Sequence, residues 1–177
     1  MGLNIFNIFL LGISFTAFVI SAGFITDSSR RIGNLPEKSG NADLESAHKY
    51  SIWAAVIAWV SVAMLLVAGV LILIYGEELL FGGFADWLVM GFLFSTLAGS
   101  AIVGVLSAIT ANDIGKSGVE NNNDSRKQAI IAAVIAIIAF VGILIAFFIK
   151  MFYKPKSKLD EEIKKDEEEL EEEPDMT

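Results

Sequence analysis

Between Ile52 and Tyr75 the chain reads IWAAVIAWVSVAMLLVAGVLILIY, with no charge and no proline. A helix of that length is about 36 Å long, more than the roughly 30 Å of hydrocarbon in a bilayer. A soluble core helix has no use for so long an unbroken apolar surface, so the run reads as a transmembrane span. On a helical wheel Ala54, Ala58, Ser61, Leu65 and Ala68 form one narrow stripe of mostly small residues, with Val56, Trp59, Ala63, Val67 and Val70 on the opposite side. Small stripes let helix backbones approach closely in lipid.

The same stripe returns 78 positions later as Ala132, Ala136, Ala139, Ile143 and Ala146, and the string AAVIA is identical in both copies. Upstream, Lys49 falls on Lys127, His48 on Arg126, and Lys38-Ser39-Gly40 on Lys116-Ser117-Gly118. Alanine-rich spans align by chance, but apolar composition does not explain a shared loop tripeptide. Further back an offset of 84 sets Thr16, Ala17, Val19, Ile25 and Thr26 against Ser100, Ala101, Val103, Ile109 and Thr110, with the first loop the longer one. The pattern predicts a tandem duplication of a helical hairpin, residues 1–84 and 85–153, related by a pseudo-twofold axis along the membrane normal.

The expected fold class is therefore an all-α polytopic membrane protein with four transmembrane helices, near residues 3–25, 52–75, 87–111 and 129–149, making one domain over residues 1–153. The first span is too long for the apolar core of a signal peptide and no basic residue precedes it, so it reads as a retained helix. Met1-Gly2 opens like a myristoylation signal, but Phe6 stands where Ser or Thr is needed. The third span is the richest in glycine and hydroxyl groups. Gly91, Ser95 and Gly99, then Ser100, Gly104 and Ala108, make two small-xxx-small ladders, which predict a centrally packed helix. Tyr50, Trp53, Tyr75, Trp87 and Tyr153 sit where interfacial aromatic anchors belong.

Polar loops are expected over residues 27–49 and 112–127, with a short, oddly apolar connection from Gly76 to Asp86. The sequon Asn123-Asp124-Ser125 lies almost against the fourth span, too close to the membrane for expected use. Residues 154–177 form a charged tail, and residues 160–175 hold eleven of the 21 acidic side chains, so the net charge of −8 is not spread over the molecule. Its composition is that of a solvated, disordered arm, or of a docking arm for a basic partner. Lysine and arginine divide seven on the loop side against six on the terminal side. The two arginines just after the first span, with none before it, lean toward cytoplasmic loops.

Chemistry within the bilayer ordinarily needs ionisable groups there, and these four spans carry none. Nor do they carry the prolines of broken transporter helices. Thr96, Ser100 and Ser107, with Ser14, Thr16 and Ser95, suit bonds between helices or to the preceding turn better than a polar path. With no cysteine and one histidine, His48, no thiolate or multi-histidine metal site is expected, and no cofactor. His48 with Glu45 one turn earlier makes a pH-sensitive pair or, since Arg126 takes its place in the second copy, an interfacial residue.

Ser46-Ala47-His48-Lys49-Tyr50 leading into Trp53-Ala54-Ala55-Val56-Ile57-Ala58-Trp59 resembles small multi-pass virion membrane proteins of nucleocytoplasmic large DNA viruses, the giant viruses, which carry an internal lipid membrane beneath the capsid. The resemblance covers the second span and its approach. It implies a virion membrane component and brings no catalytic residue. The expected function is thus structural and non-enzymatic: an integral membrane protein of a viral internal membrane or host endomembrane. The expected partners are the lipid bilayer and membrane or capsid proteins, with a homo-oligomer allowed and no nucleic acid. The alternative is a small oligomeric channel lined by the hydroxyl-rich third span.

Overall fold

In a computed structural model, which describes residues 2–80, 84–119 and 122–152, the chain forms four long helices: α1 (Gly2–Gly33), α2 (Ala42–Leu80), α3 (Phe84–Lys116) and α4 (Asn123–Phe152). Among the described residues there is no strand. Each helix is long and apolar enough to cross a membrane, and the protein has the architecture of an integral, multi-pass membrane protein. Tyr153 and the tail from residue 154 lie outside the described residues, as do residues 81–83 at the centre of the short connection.

The helices run well past the expected spans. The polar loop expected over residues 27–49 is mostly helix, since α1 continues through Asp27, Arg30 and Arg31 to Gly33 and α2 begins at Ala42. Only residues 34–41 lie between them, with a 3-10 turn at Pro36–Lys38. The second loop shrinks in the same way to residues 117–122. Charge along these segments was the loop signal, but a helix leaving the membrane keeps its backbone bonds whatever its surface carries. Asn41 starts α2 properly, its Oδ1 accepting from the amide of Leu44 at 3.2 Å.

Each helix packs on its sequence neighbours, and α1 closes the ring against α4, most extensively in the pairs α2–α3 and α1–α4. Apart from Ala22, Ser29, Val62, Gly99, Gly104, Ala111, Ala133 and Gly142, the buried positions follow a seven-residue repeat on every helix. They are Leu11, Ser14, Phe18, Ser21, Ile25, Ser28 and Ile32 on α1, and Leu44, Ala47, Ser51, Ala54, Ala58, Ser61, Leu65 and Ala68 on α2. On α3 they are Val89, Leu93, Thr96, Ser100, Val103, Ser107, Thr110 and Ile114, and around α4 Asn122, Ser125, Ala129, Ala132, Ala136, Ala139, Ile143 and Ala146. A period of 3.5 is that of helices wound into a left-handed bundle.

The burial pattern corrects the offset between α1 and α3. At 84 the buried face of α1 would fall on exposed α3 positions such as Ser95, Ile102 and Val105. At 82 the buried positions coincide from Leu11 and Leu93 to Ile32 and Ile114, and Gly33 meets Gly115. For α2 and α4 the offset of 78 superposes both seven-residue patterns throughout.

Small residues fill much of the inside, with Phe18, Ile25, Leu93 and Ile143 among them, and large ones cover the outside. In the middle layer Phe18, Ala22, Ala58, Val62, Val103, Ala136 and Ala139 meet, while Ile13, Trp59, Val67, Val105, Ile130 and Ile137 lie exposed on the surface. In water this distribution would strand large apolar patches. In lipid it is favourable, because association there rests on close packing and not on hiding apolar surface.

Candidate functional site

The features that hold chemistry are the seams between helices and the polar end of the bundle that carries the two loops. Ala54, Ala58, Ser61, Ala68, Ala132, Ala136, Ala139 and Ala146 are all buried in the seams. On α3 the expected ladders divide. Gly99, Ser100 and Gly104 are buried, whereas Gly91, Ser95 and Ala108 are exposed. The ladder reading is therefore corrected for those three, which lie on the exposed face of α3. Small residues occupy both faces of α3, so size alone did not mark the inner one. The seven-residue spacing from Val89 to Ile114 does.

The two most extensive seams rest on glycines. A side chain at Gly99 would run into Ser61 Oγ of α2 and come within 3.2 Å of Ser61 Cβ, and one at Gly142 would meet Ser14 Oγ of α1. At Gly104 it would lie 3.5 Å from Ile137 Cγ1 of α4, an ordinary contact.

The hydroxyls are mostly spent within the fold. Ser21 Oγ donates across the α1–α4 seam to Ala132 O at 2.8 Å, and Ser28 Oγ to Ser125 O at 3.0 Å. Thr16, Thr96, Ser100 and Thr110 bond to carbonyls three or four residues back in their own helices. Ser107 Oγ is buried without a partner among the described residues. Trp59, large and outward, ties α2 to α1 by donating from Nε1 to Thr26 Oγ1 at 3.0 Å, a link that sequence spacing did not suggest.

At the loop end, polar side chains join helices that the apolar seams bring together. Asp27 Oδ2 accepts from Arg31 Nε at 2.9 Å and from Gln128 Nε2 of α4, while Ser46 Oγ of α2 donates to Asp113 Oδ2 of α3 at 3.0 Å. Asn41 Nδ2 reaches Ser117 O at 3.2 Å, joining the two loops. Of the expected anchors, Trp53 and Trp87 are exposed and Tyr50 is half-buried, while the side chain of Tyr75 lies outside the described residues. Among the described residues His48 pairs with no acid: it lies across Gly33 at the end of α1, where an added Cβ would sit 2.8 Å from its Cε1. Arg126 lies in the same way across Gly115 at the end of α3, with an added Cβ 3.1 Å from Cζ. Among the described residues no group of three or more His, Cys, Asp or Glu side chains is placed to hold a metal ion.

No family model, no curated protein and no solved structure matches the chain.

Proposed function

We propose that the protein is a non-enzymatic structural component of a membrane, organising a viral internal membrane and contacting capsid or other membrane proteins through its loop end and acidic tail. The observation that carries the structural part is the interior: seams rich in alanine, glycine and serine, with hydroxyls turned onto backbone carbonyls. Such an interior is a packing device. The viral setting is supported by the resemblance of the stretch from Ser46 to Trp59 alone. The test is fractionation of particles from infected cells. The protein should remain with the lipid membrane after the outer shell is stripped, and a chain lacking residues 154–177 should be incorporated poorly. Absence from particle membranes would refute the setting, and normal incorporation of the shortened chain would refute the role of the tail.

Tandem duplication of a hairpin belongs to the same reading. It is supported by the coincident burial patterns and by Gly40 and Gly118, which occupy matching loop positions and both have positive φ, 97° and 69°. A second function is favoured by one observation. The outward face of α3 is small at Gly91, Ser95, Ala98, Ala101 and Ala108, between the larger Phe94, Ile102 and Val105, so it suits close approach of a second copy. In an oligomeric channel built on that face, Ser95→Val would change conductance in planar bilayers and Ser100→Val would not, since Ser100 faces the protomer's own interior. Silent bilayers at high protein load would dispose of the channel.

A further inference from the structure

The two loop-end corners of the bundle are built alike except in one respect. Between α1 and α2, Ile32-Gly33 is separated from Lys38-Ser39-Gly40 by Asn34-Leu35-Pro36-Glu37; between α3 and α4, Ile114-Gly115 runs directly into Lys116-Ser117-Gly118. In the first corner the extra residues lead into the 3-10 turn, which packs on α2. The second corner lacks those four residues and holds an open cleft of about 200 Å³, lined by Ile114, Gly115, Gly118, Val119, Asn122, Asn123 and Arg126.

Two substitutions accompany the missing cover. Leu44, fully buried in the first corner, is replaced at the same seven-residue position by Asn122, which is 2% exposed. Neither Oδ1 nor Nδ2 of Asn122 finds a hydrogen-bond partner among the described residues. A buried amide without partners is costly, whereas leucine at this position costs nothing of the kind. His48 is replaced by Arg126, a permanent cation with five donors in a planar fork. Cover is removed, one buried apolar residue becomes polar, and a titratable ring becomes a guanidinium. The first turn of α4, whose leading amides have no partner within the helix, opens with the positive end of the helix dipole on the same cleft at Asn123.

We propose that this corner binds a phosphate group. The Arg126 guanidinium takes two oxygens, Asn122 turns its amide into the cleft to donate a further bond, and the first amides of α4 complete the shell. Asp124, in that first turn, is exposed and does not line the cleft. Asn122 stands about 10 Å and Arg126 about 4 Å beyond Ala129, where the apolar part of α4 begins. That is the height of lipid headgroups, so a phospholipid headgroup and a free phosphate share the required chemistry.

The full-length protein in detergent micelles doped with phosphatidic acid, or with diacylglycerol of the same chains, is examined by native mass spectrometry. Inorganic phosphate is titrated in parallel against chloride and followed by thermal unfolding. Retention of phosphatidic acid but not diacylglycerol is expected, weakened about tenfold or more by Arg126→Gln. Asn122→Leu, which restores the residue of the first corner, should weaken retention comparably and leave the unliganded protein at least as stable, so that lost binding is not lost folding. Retention without a response to inorganic phosphate identifies a headgroup site, and a phosphate response sensitive to both substitutions identifies a site for the free anion. No binding of either probe, or binding unchanged in both variants, overturns the proposal.

Discussion

Replacing Gly99 by alanine tests the closest seam with a single methyl group. The added Cβ would meet Ser61 Oγ, lie 3.2 Å from Ser61 Cβ and lie 3.7 Å from Ile57 Cγ2. The hydroxyl can rotate away, but Ser61 Cβ moves only with the backbone of α2, so the seam must open by a few tenths of an ångström. Overpacking of this kind costs about 1–3 kcal/mol. Against it stands the helix-propensity gain of alanine over glycine, up to about 1 kcal/mol. The net expectation is a loss of about 1 kcal/mol. Gly91, with nothing within 4 Å of its added Cβ, supplies the control and should gain up to about 1 kcal/mol on the same substitution. Gly142→Ala should fall between the two, because Ser14 Cβ stands back at 3.4 Å and only the hydroxyl must turn. Unfolding of the purified protein in mixed micelles, followed by helical circular dichroism against the mole fraction of denaturing detergent, gives the ranking. Ser61→Gly combined with Gly99→Ala should recover most of the loss, since it removes both obstructing atoms. If Gly99→Ala proves as stable as Gly91→Ala, the α2–α3 seam is not packed as described.

Ala58→Leu with Ala136→Leu places two large side chains in the central layer, where both alanines are fully buried; the pair should abolish the native melting transition or lower it by several kcal/mol, and unchanged detergent stability would count against the seams. Ser21→Ala removes the 2.8 Å bond to Ala132 O and should cost about 0.5–1.5 kcal/mol in the micelle titration, with no loss if the hydroxyl bonds within its own helix instead. Gly40→Ala and Gly118→Ala force alanine into positive φ and should each cost about 1 kcal/mol, with equal effects at the two corners, whereas Gly23→Ala, in open space on α1, should not destabilise.

Much of the fold was legible because lipid imposes one rule on every span. The charge-free runs located four helices, and the recurring stripe from Ala54 to Ala68 and Ala132 to Ala146 marked the inner faces of α2 and α4. The inner face of α3 was not legible from size, because Gly91, Ser95 and Ala108 outside are as small as Gly99, Ser100 and Gly104 inside. Only the spacing of the larger residues, Val89, Leu93, Val103 and Ile114, tells the two faces apart. Charged residues at Asp27, Arg31, Glu45 and Asp113 read as loop although they sit on helix ends, where the bonds of Asp27 to Gln128 and of Asp113 to Ser46 hold neighbouring helices together. The contrast between the two corners needed coordinates. In sequence, four extra residues in one loop are only a longer loop, and the open cleft beside Asn122 becomes visible once Gly33 is matched to Gly115.

The account rests on small residues facing inward and large residues facing lipid around a seven-residue repeat. Because the chain has no cysteine, spin labels can be placed one at a time from residue 129 to residue 146 of α4 in reconstituted bilayers, and their collision rates with dissolved oxygen measured. Oxygen access should be lowest at Ala129, Ala132, Ala136, Ala139, Ile143 and Ala146 and highest at Ile130, Val134, Ile137, Ile138, Val141 and Ile145. Maxima on the alanine positions, or a profile without the period, would contradict the bundle and the function proposed from it.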